Sequence, residues 1–205
     1  MPEAMRTPEV TVVPANEASW DDLAAVLGAR GYRSTGCWCQ RFKLRGREWD
    51  AEAVPVAERA RRLREQTQCG NPRANHTSGL VAYLEGEPVG WCAVEPRTAY
   101  VRLGTSPWKD RAEDKTDNSV WAVTCFAIRR DFRRRGISRA LARAAVDFAR
   151  ERGARVLEGY PMIPEPGKDV PWGELHVGHR SIFAAAGFTE ISRPTLRRAV
   201  MRIEL

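Results

Sequence analysis

Apolar residues along this chain change their spacing several times, and each change marks an element. In EVTVVPA the β-branched run Val10 to Val13 alternates, which predicts a strand. SWDDLAAVLGARG shifts to a helical period, with Ser19 as N-cap, acidic residues in the first turn and Gly31 as the stop. VAERARRLREQTQCG predicts a second helix ending near Gly70. Two short runs, Leu80 to Leu84 and Val89 to Glu95, predict a hairpin with Glu85-Gly86-Glu87-Pro88 as its turn. VWAVTCFAI (Val120 to Ile128) is apolar on both faces, the mark of a central buried strand. A helix from Arg133 to Arg152 follows at once, then a strand around Val156 to Tyr160. HRSIFAAAG predicts a short helix ending at Gly187, and FTEIS and AVMRIEL predict the last strands. Three stretches carry no period: YRSTGCWCQRFK, Arg97 to Ser119, and PMIPEPGKDVPWGELHVG. A hairpin followed by alternating strands and helices predicts an α/β (α+β) chain, a mixed sheet with helices on both faces.

The 205 residues suit one domain. No run approaches the ~18 apolar residues of a membrane span, so no membrane partner is expected. MPEAMRTPEV has no apolar segment, so no signal peptide is expected and the cytoplasm is the expected compartment. The charge of +7 suits an anionic partner. Yet only four basic residues are lysines (Lys43, Lys109, Lys115, Lys168), and an arginine bias of that kind also follows from a GC-rich genome. The arginines between Arg129 and Arg143 scatter around their helix instead of forming a stripe interleaved with aromatics, which disfavours nucleic acid. The five cysteines, Cys37, Cys39, Cys69, Cys92 and Cys125, are odd in number, which argues for thiols over a disulfide framework. GCWCQ is C-x-C with no second close Cys/His pair, so no metal is expected and small buried apolar side chains are the simpler role.

Chemistry concentrates at Arg133-x-x-Gly136-x-Ser138, between the buried strand and the helix. A tight strand-to-helix turn leaves first-turn amides unpaired at the positive end of the helix dipole. Glycine at 136 lets a ligand approach the backbone closely, and the geometry suits a diphosphate.

With that context, FAIRRDFRRRGISRALARAAVDFARERGA resembles the acetyl-CoA motif of the GCN5-related N-acetyltransferase (GNAT) family, a strand followed by Q/R-x-x-G-x-G/A and a helix. SIFAAAGF (Ser181 to Phe188) is similar to the family's later signature, and the hairpin YLEGEPVGWCAV sits where its second and third strands sit. The resemblance implies a mostly antiparallel sheet of about seven strands and acetyl-CoA as co-substrate. It implies that backbone groups of Phe126, Ala127 and Ile128 pair with the pantetheine arm. It further implies that Arg133, Arg134, Arg135, Gly136, Ile137, Ser138 and Arg139 wrap the pyrophosphate. Ser138 departs from the usual Gly or Ala. Phe183 stands where many members place a tyrosine proton donor, and it cannot donate a proton.

For the base, acids on strands bordering the cleft are the candidates. Glu158 shares a face with Val156 and Tyr160, and a mid-strand carboxylate is costly unless partnered or used. Glu95, Glu174 and His176 are the alternatives, and Tyr160 or Ser181 could stand in as acid. Trp38, Trp108 and Trp172, with Cys37, could line an aromatic acceptor pocket. The first reading is an N-acetyltransferase acting on a small-molecule amine, with a homodimer as a possible assembly. Acetylation of a protein lysine or N-terminus is the second, and a non-catalytic acyl-CoA-binding sensor the third.

Overall fold

The computed structural model describes residues 9–28, 38–49, 53–105, 108, 114–165, 167 and 172–205, with side chains at 47, 49, 172 and 173 left out. Strand β1 spans Val10–Pro14. Helix α1 spans Trp20–Leu27 and opens on Ser19, whose hydroxyl accepts the Asp22 N–H at 3.1 Å while Asp22 accepts the Ser19 N–H at 3.0 Å. This is a reciprocal capping box. The helix stops at Gly28 instead of Gly31, because Gly28 turns extended and its N–H bonds the Ala24 carbonyl at 2.8 Å. Helix α2 spans Val56–Thr67 and ends where Gln68 turns left-handed, earlier than Gly70 suggested.

Strands β2 (Gly79–Leu84) and β3 (Glu87–Pro96) form the hairpin. Its turn is two residues, not four: Glu85 and Gly86 both have positive φ, at 53° and 80°, which fits a tight turn of the type that matches strand twist. β4 spans Val120–Ile128, α3 Ile137–Glu151, and β5 Val156–Gly159. α4 spans Arg180–Ala184, followed by β6 (Thr189–Thr195) and β7 (Arg198–Glu204). α3 begins four residues after the expected Arg133. Arg134 (φ 62°) and Gly136 (φ 79°) are left-handed, a conformation no right-handed helix accommodates.

The seven strands form one sheet in the order β1-β2-β3-β4-β5-β7-β6, and only β4 and β5 run parallel. α3 covers one face, packing Ile137, Leu141 and Ala145 against Val94, Val123 and Ile128. α1 and α2 cover the other with Leu23, Val26 and Leu63 against Val81, Trp91 and Ala127. The expected mixed sheet with helices on both faces is therefore what the chain forms. Within β4, Ala93 pairs with Cys125 but Val94 pairs with Val123, so Thr124 is an extra, bulged residue. The bulge changes the strand's phase, which is why Val123 and Phe126 both join the core under α3.

The last β4–β5 pair is Val123 with Gly159. β5 ends there while β4 runs on to Ile128. Phe183 fixes this fork: its ring is fully buried and packs edge-on to Phe126 (5.7 Å) and Phe188 (5.2 Å). It also lies flat on Gly159, where a Cβ would sit 2.1 Å from the ring. Gly159→Ala is therefore expected to cost about 1–3 kcal/mol of stability as an overpacked core does. Thermal unfolding checks this, and an unchanged Tm would show that the ring is not seated on Gly159.

Candidate active site

The end of β4 and the start of α3 enclose a cavity of about 470 Å³. Ile128 and Phe132 form its apolar floor, and Arg133, Arg134, Gly136, Ile137, Ser138 and Arg139 form one wall. His179, Ser181 and Ile182, around the start of α4, face them. Arg135 is turned away from the wall and stacks on Phe132, 5.3 Å from its ring centre. Gly136 caps α3 with its carbonyl, which accepts the N–H groups of Arg139 and Ala140 at 2.9 and 3.1 Å. The amides of residues 134 to 138 have no backbone acceptor among the described residues, and the first turn holds no acidic side chain. A helix N-terminus with open amides, a left-handed turn and an arginine rim is a cradle for a phosphate anion.

On the opposite face of the sheet, register builds a second feature. Ala122 pairs with Glu95 on one side and Glu158 on the other, and Glu158 pairs with Arg202. Two strand spacings put the glutamate Cα atoms about 10 Å apart. The alanine methyl leaves room above this row for a buried cluster that includes Phe42, Tyr100, Trp108, Tyr160 and Val177.

The two carboxylates sit in different surroundings. Glu158 is fully buried and its oxygens are committed. Oε1 accepts Arg202 Nη2 at 2.7 Å and Nε at 3.2 Å; Oε2 accepts the Tyr160 hydroxyl at 2.5 Å and Arg97 Nη1 at 3.4 Å. Arg97 also donates to the Asp114 carbonyl at 2.6 Å. Glu95 pairs with Lys43 at 2.5 Å. Lys43 also donates to Gln66 at 2.9 Å and lies 5.7 Å from the centre of the Tyr100 ring. Burial pushes the Glu95 carboxyl above its ordinary range, with Lys43 and the Tyr100 hydroxyl opposing. Burial likewise pushes the Tyr100 phenol well up, the Glu95 charge adding and the nearby Thr124 hydroxyl opposing. Glu95 and Tyr100 are thus coupled by charge in a buried setting beside the bulged Thr124.

The other sequence candidates fall around these two features. His176 is buried against Phe42, ring centres 6.2 Å apart, and borders the aromatic cluster. Glu174 binds Arg197 at 2.9 Å and ties its loop to the turn between β6 and β7. Ser181 stands on the cavity wall, its hydroxyl 2.9 Å from His179 Nδ1. Phe126, Ala127 and Phe183 are buried and none of their side chains lines the cavity: Phe126 and Phe183 pack in the core under α3, and Ala127 in the layer under α1. Trp108 packs against Phe42 (5.7 Å) and Tyr160 (5.8 Å). Trp38 instead stacks on Trp20 at 5.3 Å, in the layer under α1. The two tryptophans therefore belong to different clusters, while Cys37 and the Trp172 ring lie outside the described residues. Lys43, Tyr100, Thr124, Arg97 and Arg202 joined the site with no warning from the sequence. Among the described residues no three His, Cys, Asp or Glu side chains are placed to hold a metal ion, and no helix is long and apolar enough to cross a membrane.

Residues 43–160 match the family model described as acetyltransferase (GNAT) family. The matched span is more than half of the chain and runs from Lys43 to Tyr160. Comparison with curated protein sequences gives no significant match. Solved structures share the fold at low identity. Ribosomal-protein-alanine N-acetyltransferase from Brucella melitensis is 19% identical with a TM-score of 0.52, covering 95% of this chain and 99% of its own. yncA from Salmonella typhimurium, solved with its cofactor acetyl-CoA, is 15% identical with a TM-score of 0.52, covering 95% and 93%. The paiA N-acetyltransferase from Thermoplasma acidophilum, in complex with coenzyme A, is 10% identical with a TM-score of 0.51, covering 96% and 99%. With its motif region matched and its fold shared over nearly the whole length, the chain belongs to the GNAT acetyltransferase family.

Proposed function

We propose that the protein transfers the acetyl group of acetyl-CoA to a primary amine of a small molecule. One observation carries this reading: the sheet forks at Val123 and Gly159, with the anion cradle opening on one side and the Glu95–Ala122–Glu158 row on the other. The cradle fits the cofactor, since its open amides and cationic rim match a diphosphate and its floor is apolar. Support also comes from the two relatives above that were solved with acetyl-CoA or coenzyme A.

Acetyl-CoA, when bound, supplies an activated thioester carbonyl. The amides of residues 134 to 138 hold the diphosphate, and Arg133, Arg134 and Arg139 add charge. Backbone groups of Phe126 and Ile128 bind the pantetheine arm as an added strand would. An N–H near the Thr124 bulge stabilises charge that develops on the carbonyl oxygen. Glu95 takes the proton from the acceptor ammonium, because a carboxyl raised by burial is a better base near neutral pH than an ordinary one. Glu158, committed to two guanidinium groups, holds Tyr160 in place over the row. Phe183 leaves protonation of the thiolate to Tyr160, Ser181 or water. The substrate end is enclosed by Tyr100, Trp108 and Tyr160, all buried, which favours a small acceptor over a protein tail.

Thiol release from acetyl-CoA across a panel of amines, aminoglycosides and peptides tests the reading. Turnover of small amines is expected. Turnover of peptides alone would instead favour a protein acceptor, the substrate class named for the Brucella relative. Acetyl-CoA binding without any turnover would favour a sensor. The cradle has its own test in Gly136→Val. A Cβ there meets nothing within 4 Å, so the substitution acts only through its positive φ, which a β-branched residue does not tolerate. Coenzyme A affinity is expected to fall at least about tenfold, since one lost amide contact to a charged group contributes about 1.5–3 kcal/mol. Unchanged affinity by titration calorimetry would place the diphosphate elsewhere.

A further inference from the structure

We propose that His179 is a further cofactor-binding residue, its Nε2–H donating to the diphosphate of coenzyme A from the wall opposite the cradle. The inference rests on the acetyl-CoA reading of that cavity and adds a contact to it. His179 is the N-cap of α4: its Nδ1 accepts the Ser181 N–H at 3.2 Å, and the Ser181 hydroxyl stands 2.9 Å from the same nitrogen. A neutral imidazole has one accepting and one donating nitrogen, and the hydrogen bond at one settles the tautomer at the other. With Nδ1 accepting, the ring proton sits on Nε2. That nitrogen has no hydrogen-bond partner among the described residues, and the ring lines the cavity. A donor of fixed tautomer therefore faces the ligand space.

The backbone around His179 fixes where that donor stands. His179 pairs with Met162 in a parallel bridge, and the Met162 N–H donates to the Gly178 carbonyl at 3.2 Å. Gly178 has a φ of 85°, and a Cβ there would lie 3.0 Å from the rings of Phe126 and Phe183. Residue 178 is thus seated on the rings at the fork, and His179 is the next residue outward. The cavity is lined by Ile128 and Phe132 but by neither Phe126 nor Phe183. His179 therefore lies past Phe126, at the α3 end of the path open to the pantetheine arm, where Arg134, Gly136 and Ser138 form the other wall. The amides of residues 134 to 138 reach a diphosphate from one side, which leaves oxygens for a donor on the other. Because the cap and the bridge already hold the ring, little side-chain freedom is lost when it binds.

The test uses two variants that separate the cap from the donor. His179→Asn keeps a good N-cap but ends short of the Nε2 position, whereas His179→Gln reaches that position with an N–H and gives up the cap. By titration calorimetry, His179→Asn is expected to bind coenzyme A about tenfold more weakly, with its Tm unchanged. His179→Gln is expected to stay within about threefold of the wild type in affinity while its Tm falls. Three ligands locate the contact. 3′-Dephospho-coenzyme A should lose as much affinity for His179→Asn as coenzyme A does, and pantetheine, measured by competition, should bind the variant and the wild type alike. Coenzyme A affinity unchanged in His179→Asn, or lowered equally in both variants, overturns the proposal. A loss confined to coenzyme A overturns it too, because the ring would then serve the 3′-phosphate, and an equal loss for pantetheine would place it on the arm. The expected pattern supports the contact even if no amine is acetylated, in which case only the transfer reading fails. Unchanged affinity in His179→Asn removes the contact while turnover, and with it the transfer reading, stands.

Discussion

Glu95→Gln is expected to lower kcat by about two to four orders of magnitude, the usual worth of a positioned general base. Acetyl-CoA affinity is expected to stay as in the wild type, because Glu95 lies across the sheet from the cradle. The expected pH behaviour is specific. Burial raises the Glu95 carboxyl, so the acidic limb of kcat/KM should lie above the ~4.3 of a free glutamate. Lys43→Met removes the ammonium that favours the ionised carboxylate, so the limb should move to still higher pH. Stability follows the opposite sign. A pKa raised in the fold makes a contribution that is present below the unfolded value and lost as pH rises through the folded one. Glu95 therefore costs stability in the pH range where it becomes catalytically competent, and the Lys43 pair offsets part of that cost. A limb unmoved by Lys43→Met would remove Glu95 as the titrating base.

Glu158→Gln is expected to act mainly on stability. The substitution leaves Arg97 and Arg202 facing a neutral amide in a fully buried position. Removing one partner of a buried charge group costs about 3–5 kcal/mol. For a chain of this size that corresponds to a Tm loss of roughly 6–20 °C. Activity should also fall, because the Tyr160 hydroxyl loses its carboxylate anchor. The calorimetric readout separates two roles. A positioning Glu158 predicts a large Tm drop, whereas an unchanged Tm with kcat lost would make Glu158 the base and displace Glu95 from that role.

The cradle was legible in the sequence because it is local. Val120 to Glu151 is one continuous strand, turn and helix, and Gly136 with its neighbouring amides needs no distant partner. Even there α3 starts at Ile137 and not at the expected Arg133, since nothing in the identity of Arg134 announces its left-handed φ of 62°. The acceptor end was far less legible. Glu158 stood first as a base because a mid-strand carboxylate must be partnered or used. Its partners come from Arg97, in an aperiodic stretch, and from Arg202, whose placement depends on β7 inserting beside β5. Glu95 ranked lower because the strand pattern could not show the Thr124 bulge, or that Lys43 and Tyr100 converge on it from separate loops. Register and loop packing are tertiary facts, and a single chain's periodicity does not contain them.

The most direct measurement is titration calorimetry of acetyl-CoA into the wild-type protein and into Gly136→Val. One site of micromolar affinity in the wild type, weakened in the variant, is the expected result. No heat of binding to the wild type at high micromolar ligand would contradict both the cradle and the acetyl transfer built on it.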